Sequence, residues 1–375
     1  MRSRFIKLCL IIWSTAALAA EANVKLQPYK EIRKLITEIE TEMLKYQGVA
    51  VAILIDGEVV YQKTHGYKKG QDGAITPDTL FVLGSATKPI AALATLRFAH
   101  KHGLDLDAER TVAKLPKPVT LRTILSHSTG YNFSGNAEIE QGKSRADILA
   151  KLRQRKDRRH PLSFFRYSNV LYSLVQDVIT ASGSSFASVF HALAQDLGAE
   201  GEITLAAPKD LTRVAYPHTP MREGRPKLQP LPQYYPKVVP AAGGAYASLN
   251  GMVKFVKLAL GLCPQVMPTG LVQQSYQDVI ATNDTGKFRI SWPAPDAEIE
   301  HAYGLGWRIA RLKQLPDQAL IYHGGYLKGI TPVIAIIPSL NMGIVILVND
   351  ESRFSLNMAV QFWRAALVDS GAVAA

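Results

Sequence analysis

A serine and a lysine three residues apart form the first pattern in the chain that could do chemistry. Ser85 and Lys88 stand in the run Gly-Ser-Ala-Thr-Lys-Pro, and residues at this spacing share one face of a helix, where their side chains can meet. Pro89 lacks an N–H and has a fixed φ, so a helix tolerates it only in the first turn. The pair is therefore predicted to lie at the N-terminus of a helix.

That position would give the pair a specific chemical property. A serine hydroxyl is a weak nucleophile until a base takes its proton, and a lysine is such a base only when it is neutral. Burial and the positive end of a helix dipole both disfavour the ammonium form and lower a lysine pKa. The spacing alone is common in helices, where the serine is a cap and the lysine is solvated, so the pair needs partners.

Two further segments supply candidate partners. Tyr167 and Asn169 open an amphipathic segment. A tyrosine beside a lysine can relay a proton to a leaving group, and an asparagine can hold both the lysine and a substrate carbonyl. The other segment, His323-Gly324-Gly325, ends a predicted strand, and its two glycines would let another backbone, such as a peptide substrate, pair with the strand edge.

In this order, the three segments resemble the Ser-x-x-Lys, Tyr-x-Asn and Lys/His-Thr/Gly-Gly motifs of the serine β-lactamase and penicillin-binding protein superfamily. That superfamily includes D-alanyl-D-alanine peptidases and related esterases. The resemblance covers roughly residues 30 to 368 and points to the class C branch. Four further stretches carry it, which are residues 125–130, 241–244, 302–307 and 332–348.

The resemblance implies a role for each matching residue. Ser85 would be the nucleophile that becomes acylated, Lys88 its base or the organiser of that base, and Tyr167 the partner in proton transfer. Asn169 would position the lysine and the substrate. The main-chain N–H groups of Ser85 and Tyr326 would form an oxyanion hole, in which each donor contributes about 2.7–4 kcal/mol to the stability of the transition state.

One segment departs from the class C pattern. Where those β-lactamases have Lys-Thr-Gly, this chain has His323, Gly324 and Gly325, so the lysine charge that helps to hold a β-lactam carboxylate is absent. A histidine replaces that charge only when protonated, and an unperturbed imidazole is mostly neutral at pH 7. The departure favours a hydrolase of D-amino-acid peptides, esters or related amides. The alternatives are a β-lactamase and a catalytically weak sensor or binding protein for cell-wall peptide.

Hydrophobic patterns indicate the elements that position these residues. An amphipathic helix is predicted over 28–46, a hairpin turns at Asp56-Gly57, and a helix runs from Ser85 to His102. The further elements are helices at 144–157, 168–182, 185–197 and 355–368, and strands at 304–310, 319–323, 330–337 and 342–348. Strands at both chain ends around a helical middle predict an α+β fold, with one antiparallel sheet flanked by helices and a helical insertion.

The N-terminus has the features of a bacterial-type signal peptide. Basic residues, an apolar run and small residues follow one another in residues 1–19, which predicts cleavage and a periplasmic or secreted protein without a stable transmembrane segment. The remaining chain is expected to fold as one domain. Its sheet subdomain would comprise residues 24–84 and 290–375, and its mainly helical subdomain residues 85–289.

Composition limits the class of partner. The chain has a formal net charge of +12, and +9 without the three basic residues of the predicted signal peptide. This charge favours association with anionic envelope polymers but does not define the chemistry. His100 and His102 would point to different helix faces, and no metal or cofactor is expected. We expect a monomer that binds a small-molecule or peptide substrate, including peptidoglycan-derived ones, and no nucleic acid.

Other candidates are weaker. Leu83 and Thr87 occupy the positions where the nucleophile elbow of α/β-hydrolases has glycines, so a Ser-His-Asp hydrolase is not indicated. His127 lies in a Ser/Thr-rich stretch and is expected to be hydrogen-bonded support. Arg166, directly before the tyrosine, could face a substrate carboxylate with two parallel hydrogen bonds.

Overall fold

The structure is a computed structural model that describes residues 24–221, 226–282, 289–291 and 298–374. The predicted signal peptide, residues 1–19, lies outside the described residues. Within the described part of the chain, no helix combines the length and the apolar character that crossing a membrane requires.

Strands from both halves of the chain form the main sheet. In chain order the strands are β1 (Gly48–Ile55), β2 (Glu58–Lys69), β3 (Asp72–Ala74), β4 (Leu80–Val82), β5 (Ile203–Leu205), β6 (Val214–Ala215), β7 (His218–Thr219), β8 (Lys227–Leu228), β9 (Ala245–Ala247), β10 (Ile280–Ala281), β11 (Ile299–Tyr303), β12 (Arg308–Leu312), β13 (Leu315–Gly324), β14 (Val333–Ile337) and β15 (Met342–Val348). Among the described residues, nine strands form this antiparallel sheet in the order β10-β11-β12-β13-β14-β15-β1-β2-β3. A smaller sheet has the order β5-β9-β4-β6, and β7 pairs with β8.

Helices cover both faces of the main sheet. They are α1 (Lys30–Glu42), α2 (Thr87–Lys101), α3 (Leu121–Leu125), α4 (Asn136–Glu140), α5 (Arg145–Arg153), α6 (Asn169–Tyr172), α7 (Val175–Ala181), α8 (Phe186–Asp196), α9 (Tyr234–Val238), α10 (Pro240–Gly243), α11 (Leu249–Ala259), α12 (Thr269–Ser275) and α13 (Phe354–Asp369). The terminal helices α1 and α13 pack on one face, and the helices between β4 and β10 lie on the other. This arrangement confirms the predicted α+β class.

Strand β1 shows how the sequence separates the two cores. All of its residues are buried, and its side chains alternate between the sheet faces because successive Cβ atoms point in opposite directions. Val51 and Ile53 pack with α1 and α13. The small side chains of Ala50 and Ala52 face the helical insertion instead. The strand pairs with β15 in the register Val49 to Val348, so residues from both ends of the chain form the centre of the sheet.

Several predicted boundaries differ from the structure. The hairpin turns as expected at Asp56 and Gly57, both with positive φ, but β2 continues to Lys69 through residues that are mostly half-buried or exposed. The predicted helix 168–182 is two helices, α6 and α7. Strand β11 was not predicted, and the strand expected from residue 304 begins only at Arg308, because Gly306 adopts a positive φ of 82° between the two strands.

The two ends of the described chain are joined at the start of α1. This helix has no side-chain cap of its own at Tyr29. Instead, the two carboxylate oxygens of Asp369, in α13, accept hydrogen bonds of 2.9 Å from the main-chain N–H groups of Glu31 and Ile32. A carboxylate at this position satisfies donors that the helix leaves unpaired and also interacts favourably with the helix dipole.

We predict that Asp369→Ala lowers the free energy of unfolding by about 0.5–2 kcal/mol, the usual cost of losing a helix N-cap. Urea unfolding followed by circular dichroism measures the change. Glu58→Ala is the control, because Glu58 is an exposed acid on β2, away from any helix end. Equal stability of the two variants would contradict the capping role.

Candidate active site

Ser85 and Lys88 lie where the smaller sheet meets the helical insertion. Strand β4 ends at Val82, a 3₁₀ turn spans Gly84–Ala86, and α2 begins at Thr87. The predicted position of the pair at a helix N-terminus is therefore confirmed. Most of the α2 side chains are buried, so the helix carries Lys88 into the protein interior, where the residue has 0% exposure.

The Lys88 side chain is surrounded by three oxygens. Its Nζ lies 3.2 Å from Ser85 Oγ, 2.7 Å from Asn169 Oδ1 and 2.8 Å from the main-chain oxygen of Ala242. The last two are acceptors only, so each requires an N–H from the lysine. A neutral amine has two N–H bonds and one lone pair. In that neutral form, donation of both N–H groups to Asn169 and Ala242 would direct the lone pair at the serine hydroxyl, whereas an ammonium would donate to all three oxygens.

The electrostatic surroundings favour that neutral form. Burial is the main factor that lowers the pKa of Lys88 well below its usual value, and the positive charge of Arg308 lowers it further. The amine that faces Ser85 can therefore accept the hydroxyl proton.

Tyr167 and Asn169 approach the lysine from a second segment. The Lys88 Nζ lies 4.6 Å from the centroid of the Tyr167 ring. Asn169 begins the short helix α6, whose N-cap is Ser168. Its amide nitrogen donates to Asn136 Oδ1 at 3.0 Å, which leaves the amide oxygen directed at the lysine. The structure thus brings together the predicted residues Ser85, Lys88, Tyr167 and Asn169.

The third predicted segment forms the edge beside the serine. Gly325 must be a glycine, because a Cβ there would lie 1.9 Å from the main-chain oxygen of Leu83. This close approach brings the end of β13 against the turn that carries Ser85. The main-chain nitrogen of Tyr326 would lie 3.3 Å from a Cβ at Gly84. The N–H groups of Tyr326 and Ser85 therefore belong to one corner of the site, as an oxyanion hole requires.

His323 lies beneath the cleft surface. It is 1% exposed. Its Nδ1 donates to the Gly324 oxygen at 2.9 Å, and its Nε2 accepts from the Tyr303 hydroxyl at 3.0 Å. Burial is the main factor that lowers its pKa well below the usual value, and the positive charge of Arg308 lowers it further. His323 is therefore a neutral support for the strand end and does not replace the missing lysine charge.

Ser85 opens into a cleft of about 1030 Å³. Its lining combines polar and apolar side chains. The polar residues include Tyr167, Asn169, Arg308, Glu140 and Glu351. The apolar residues include Pro217, Pro230, Leu231, Leu327 and Ile330. A cleft of this size is large enough for a small-molecule or short peptide ligand.

Sequence reasoning missed Arg308 and proposed Arg166 as the candidate for a carboxylate. Arg166 is exposed and does not line the cleft. Arg308 begins β12, is only 9% exposed, and places its guanidinium 5.4 Å from the centroid of the Tyr167 ring. The sequence did contain a signal for Arg308: a charged residue stands directly after Gly306-Trp307, at the start of a predominantly apolar strand. Charged side chains are rarely buried without a role, so a charge at this position indicates a functional residue.

The part of the chain that the structure describes contains no group of three His, Cys, Asp or Glu side chains that could hold a metal ion.

Comparison with known proteins agrees with this geometry. The family model described as Beta-lactamase matches residues 36–366. The chain is 26% identical over 340 residues to the unguisins hydrolase ungD' of Aspergillus campestris, covering 83% of this chain and 60% of that protein. It is also 29% identical over 274 residues to esterase EstB of Burkholderia gladioli, covering 62% of this chain and 70% of the esterase.

A solved structure shares the architecture. The octameric penicillin-binding protein homologue from Pyrococcus abyssi superposes with a TM-score of 0.73 at 25% identity, covering 90% of this chain and 77% of that chain. The fold is therefore the β-lactamase and transpeptidase-like fold expected from the sequence motifs.

We predict that Arg308→Gln moves the acidic limb of the reaction's pH profile to higher pH. Removing the positive charge beside Lys88 raises the lysine pKa, so a more alkaline solution is needed to form the neutral amine. The measurement is the second-order rate of Ser85 labelling by a fluorophosphonate as a function of pH. Arg311→Gln is the control, because Arg311 lies on the same strand but pairs with Asp278. An unshifted profile for Arg308→Gln would refute the electrostatic coupling.

Proposed function

The chain belongs to the beta-lactamase family and is a serine hydrolase, and from this premise we propose that it forms an acyl-enzyme on Ser85. The proposed substrates are D-amino-acid peptides, esters or related amides. The observation that carries the proposal is the buried Lys88 amine, whose N–H groups are taken by Asn169 and Ala242 while Ser85 Oγ lies 3.2 Å away. A solvated lysine at a helix end would not be desolvated and oriented in this way.

The reaction would begin with the substrate carbonyl in the corner between the N–H groups of Ser85 and Tyr326. Lys88 accepts the hydroxyl proton as Ser85 Oγ bonds to the carbonyl carbon, and the developing oxyanion is stabilised by the two N–H groups. As the bond between the carbonyl carbon and the leaving group breaks, Tyr167 passes a proton to the leaving group and takes one from the protonated Lys88, which returns the lysine to its neutral form. Attack of water on the acyl-enzyme releases the acid and restores the serine.

The position of Arg308 supports a preference for substrates whose leaving group carries a negative charge. Tyr167 delivers the proton to that group, and the Arg308 guanidinium lies 5.4 Å from the tyrosine ring on the cleft wall. A carboxylate on the leaving group would therefore come close to the fixed positive charge of Arg308, which is itself only 9% exposed. This favours a peptide with a free C-terminal carboxylate over one without.

The place of action is a proposal as well. The predicted signal peptide and the net charge of +12 support a periplasmic or secreted enzyme that meets peptidoglycan-derived substrates. A monomer is the proposed state. Light scattering on the purified protein tests it.

We predict that Ser85→Ala abolishes covalent labelling by a fluorophosphonate or a fluorescent penicillin, because the nucleophilic oxygen is gone. Ser163→Ala, which removes an exposed hydroxyl, should label like the unmodified protein. Persistent labelling of the Ser85→Ala protein would refute the nucleophile. In the same experiment, rapid deacylation of the penicillin-labelled enzyme would favour the β-lactamase alternative. Absence of turnover on a panel of p-nitrophenyl esters, D-alanyl-D-alanine peptides and nitrocefin would favour a sensor.

We predict that the enzyme prefers a D-alanyl-D-alanine peptide to its C-terminal amide, and that Arg308→Gln removes this preference. Hydrogen bonds to a charged group contribute about 1.5–3 kcal/mol, which corresponds to about 10-fold to 100-fold in the ratio of kcat/KM values. Comparing the two substrates at one pH cancels the change in the Lys88 pKa. Equal kcat/KM values for peptide and amide in the unmodified enzyme would refute the carboxylate contact.

A further inference from the structure

We infer that His127 is the positioning residue that holds Tyr167 against Lys88, and this inference rests on the proposed proton transfer by Tyr167. His127 does not line the cleft and is 1% exposed, so it has no direct contact with a substrate. Its contacts are instead with the chain on both sides of the tyrosine.

Three contacts from His127 hold Tyr167 in place. The main-chain N–H of Arg166 donates to the His127 oxygen at 2.8 Å, and the main-chain N–H of Ser168 donates to the His127 Nδ1 at 3.2 Å. Between these two bonds, the imidazole ring packs on the Tyr167 ring with centroids 4.3 Å apart. One residue therefore fixes the main chain before and after the tyrosine as well as the face of its ring.

The local chain conformation explains why Tyr167 needs contacts from another segment to fix its position. Residues 164–168 form neither helix nor strand, so no regular hydrogen-bond ladder fixes the direction of Tyr167. His127 is itself anchored after α3, and its ring also packs on the rings of Tyr172 and Tyr303, with centroids 5.2 Å and 5.0 Å away. The position of the tyrosine thus depends on a rigid neighbour from another part of the chain.

The protonation of the imidazole is compatible with this role. Because Nδ1 accepts a hydrogen bond from Ser168, the ring proton is on Nε2, and a second proton would abolish the bond. Burial is the main factor that keeps the His127 pKa well below its usual value, and a positive charge on Lys88, His323 or Arg308 lowers it further. These groups lie on separate elements around the ring, and the lowered pKa favours the neutral imidazole.

His127 is energetically unfavourable in two respects, which a residue selected only for the stability of the fold would not be. Its φ of 57° lies in the left-handed region, which is strained for a residue with a side chain. Its Nε2 is buried and has no hydrogen-bond partner among the described residues, a state that is usually destabilising. Strain and an unsatisfied donor at one residue are typical of a functional constraint.

Three variants and two esters test the inference. The esters share one acyl group and differ in the alcohol: p-nitrophenol leaves without protonation, whereas ethanol needs a proton as it leaves. His127→Phe keeps a ring but removes the acceptor for Ser168. His127→Asn offers an oxygen close to the Nδ1 position and suits a positive φ. Tyr167→Phe removes the proton donor itself. The readout is kcat/KM, which reports the acylation step.

We expect His127→Phe to lower kcat/KM for the ethyl ester about 10-fold to 100-fold, because a misplaced proton donor loses most of its effect. For the p-nitrophenyl ester the loss should stay below about threefold. Tyr167→Phe should show the same dependence on the leaving group, and His127→Asn should recover most of the loss. Labelling of Ser85 by a fluorophosphonate verifies that the nucleophile is intact in each variant.

The possible failures are distinguishable. If Tyr167→Phe shows the dependence but His127→Phe affects both esters equally or neither, the positioning role is wrong and the proposed function stands. If Tyr167→Phe itself shows no dependence on the leaving group, the proton-transfer role of Tyr167 is wrong, and the positioning role of His127 is then wrong as well. Should His127→Phe not fold, His127→Ala replaces it, since the space left by the ring admits water to the Ser168 N–H.

Discussion

Burial of an uncharged amine is the constraint on which the rest of this site depends. Lys88 can be neutral only where water is excluded and where its two N–H groups have acceptors, and these come from Asn169 and Ala242 in separate segments of the insertion. The helix that carries the lysine must therefore be enclosed by other helices on nearly all sides. The helical insertion provides this enclosure, and the main sheet contributes the strand edge that faces Ser85.

A single fixed positive charge organises the electrostatics around that amine. Arg308 is always protonated, whereas burial keeps His127 and His323 neutral. The same guanidinium disfavours a second positive charge on Lys88 and, in the proposed function, attracts the carboxylate of the substrate. Activation of the nucleophile and selection of the substrate are therefore linked through one residue, so a change of substrate preference at this position would also alter the pH range of catalysis.

The sequence predicted the parts of the site that depend on local rules. Pro89 fixed the register of the serine and the lysine, and the order of three short motifs indicated the family and the fold. Three features of the site were not predictable, because each depends on how distant segments meet. They are the burial of Arg308 in the site, the hydrogen bond from Lys88 to the Ala242 oxygen, and the contacts of His127 with Tyr167. Strand β11 and the continuation of β2 were missed for another reason: their half-exposed residues lack a clear alternation of apolar and polar side chains.

The pairing of β1 with β15 also has a consequence for the order of folding. Val49 and Val348 are partners although they lie roughly 300 residues apart along the chain. Contacts of such long range form slowly, because closing the intervening loop costs entropy before any contact compensates for it. During synthesis, β1 can therefore pair with β15 only when the chain is nearly complete, and the N–H groups of Ser85 and Tyr326 can meet only after β13 has been made.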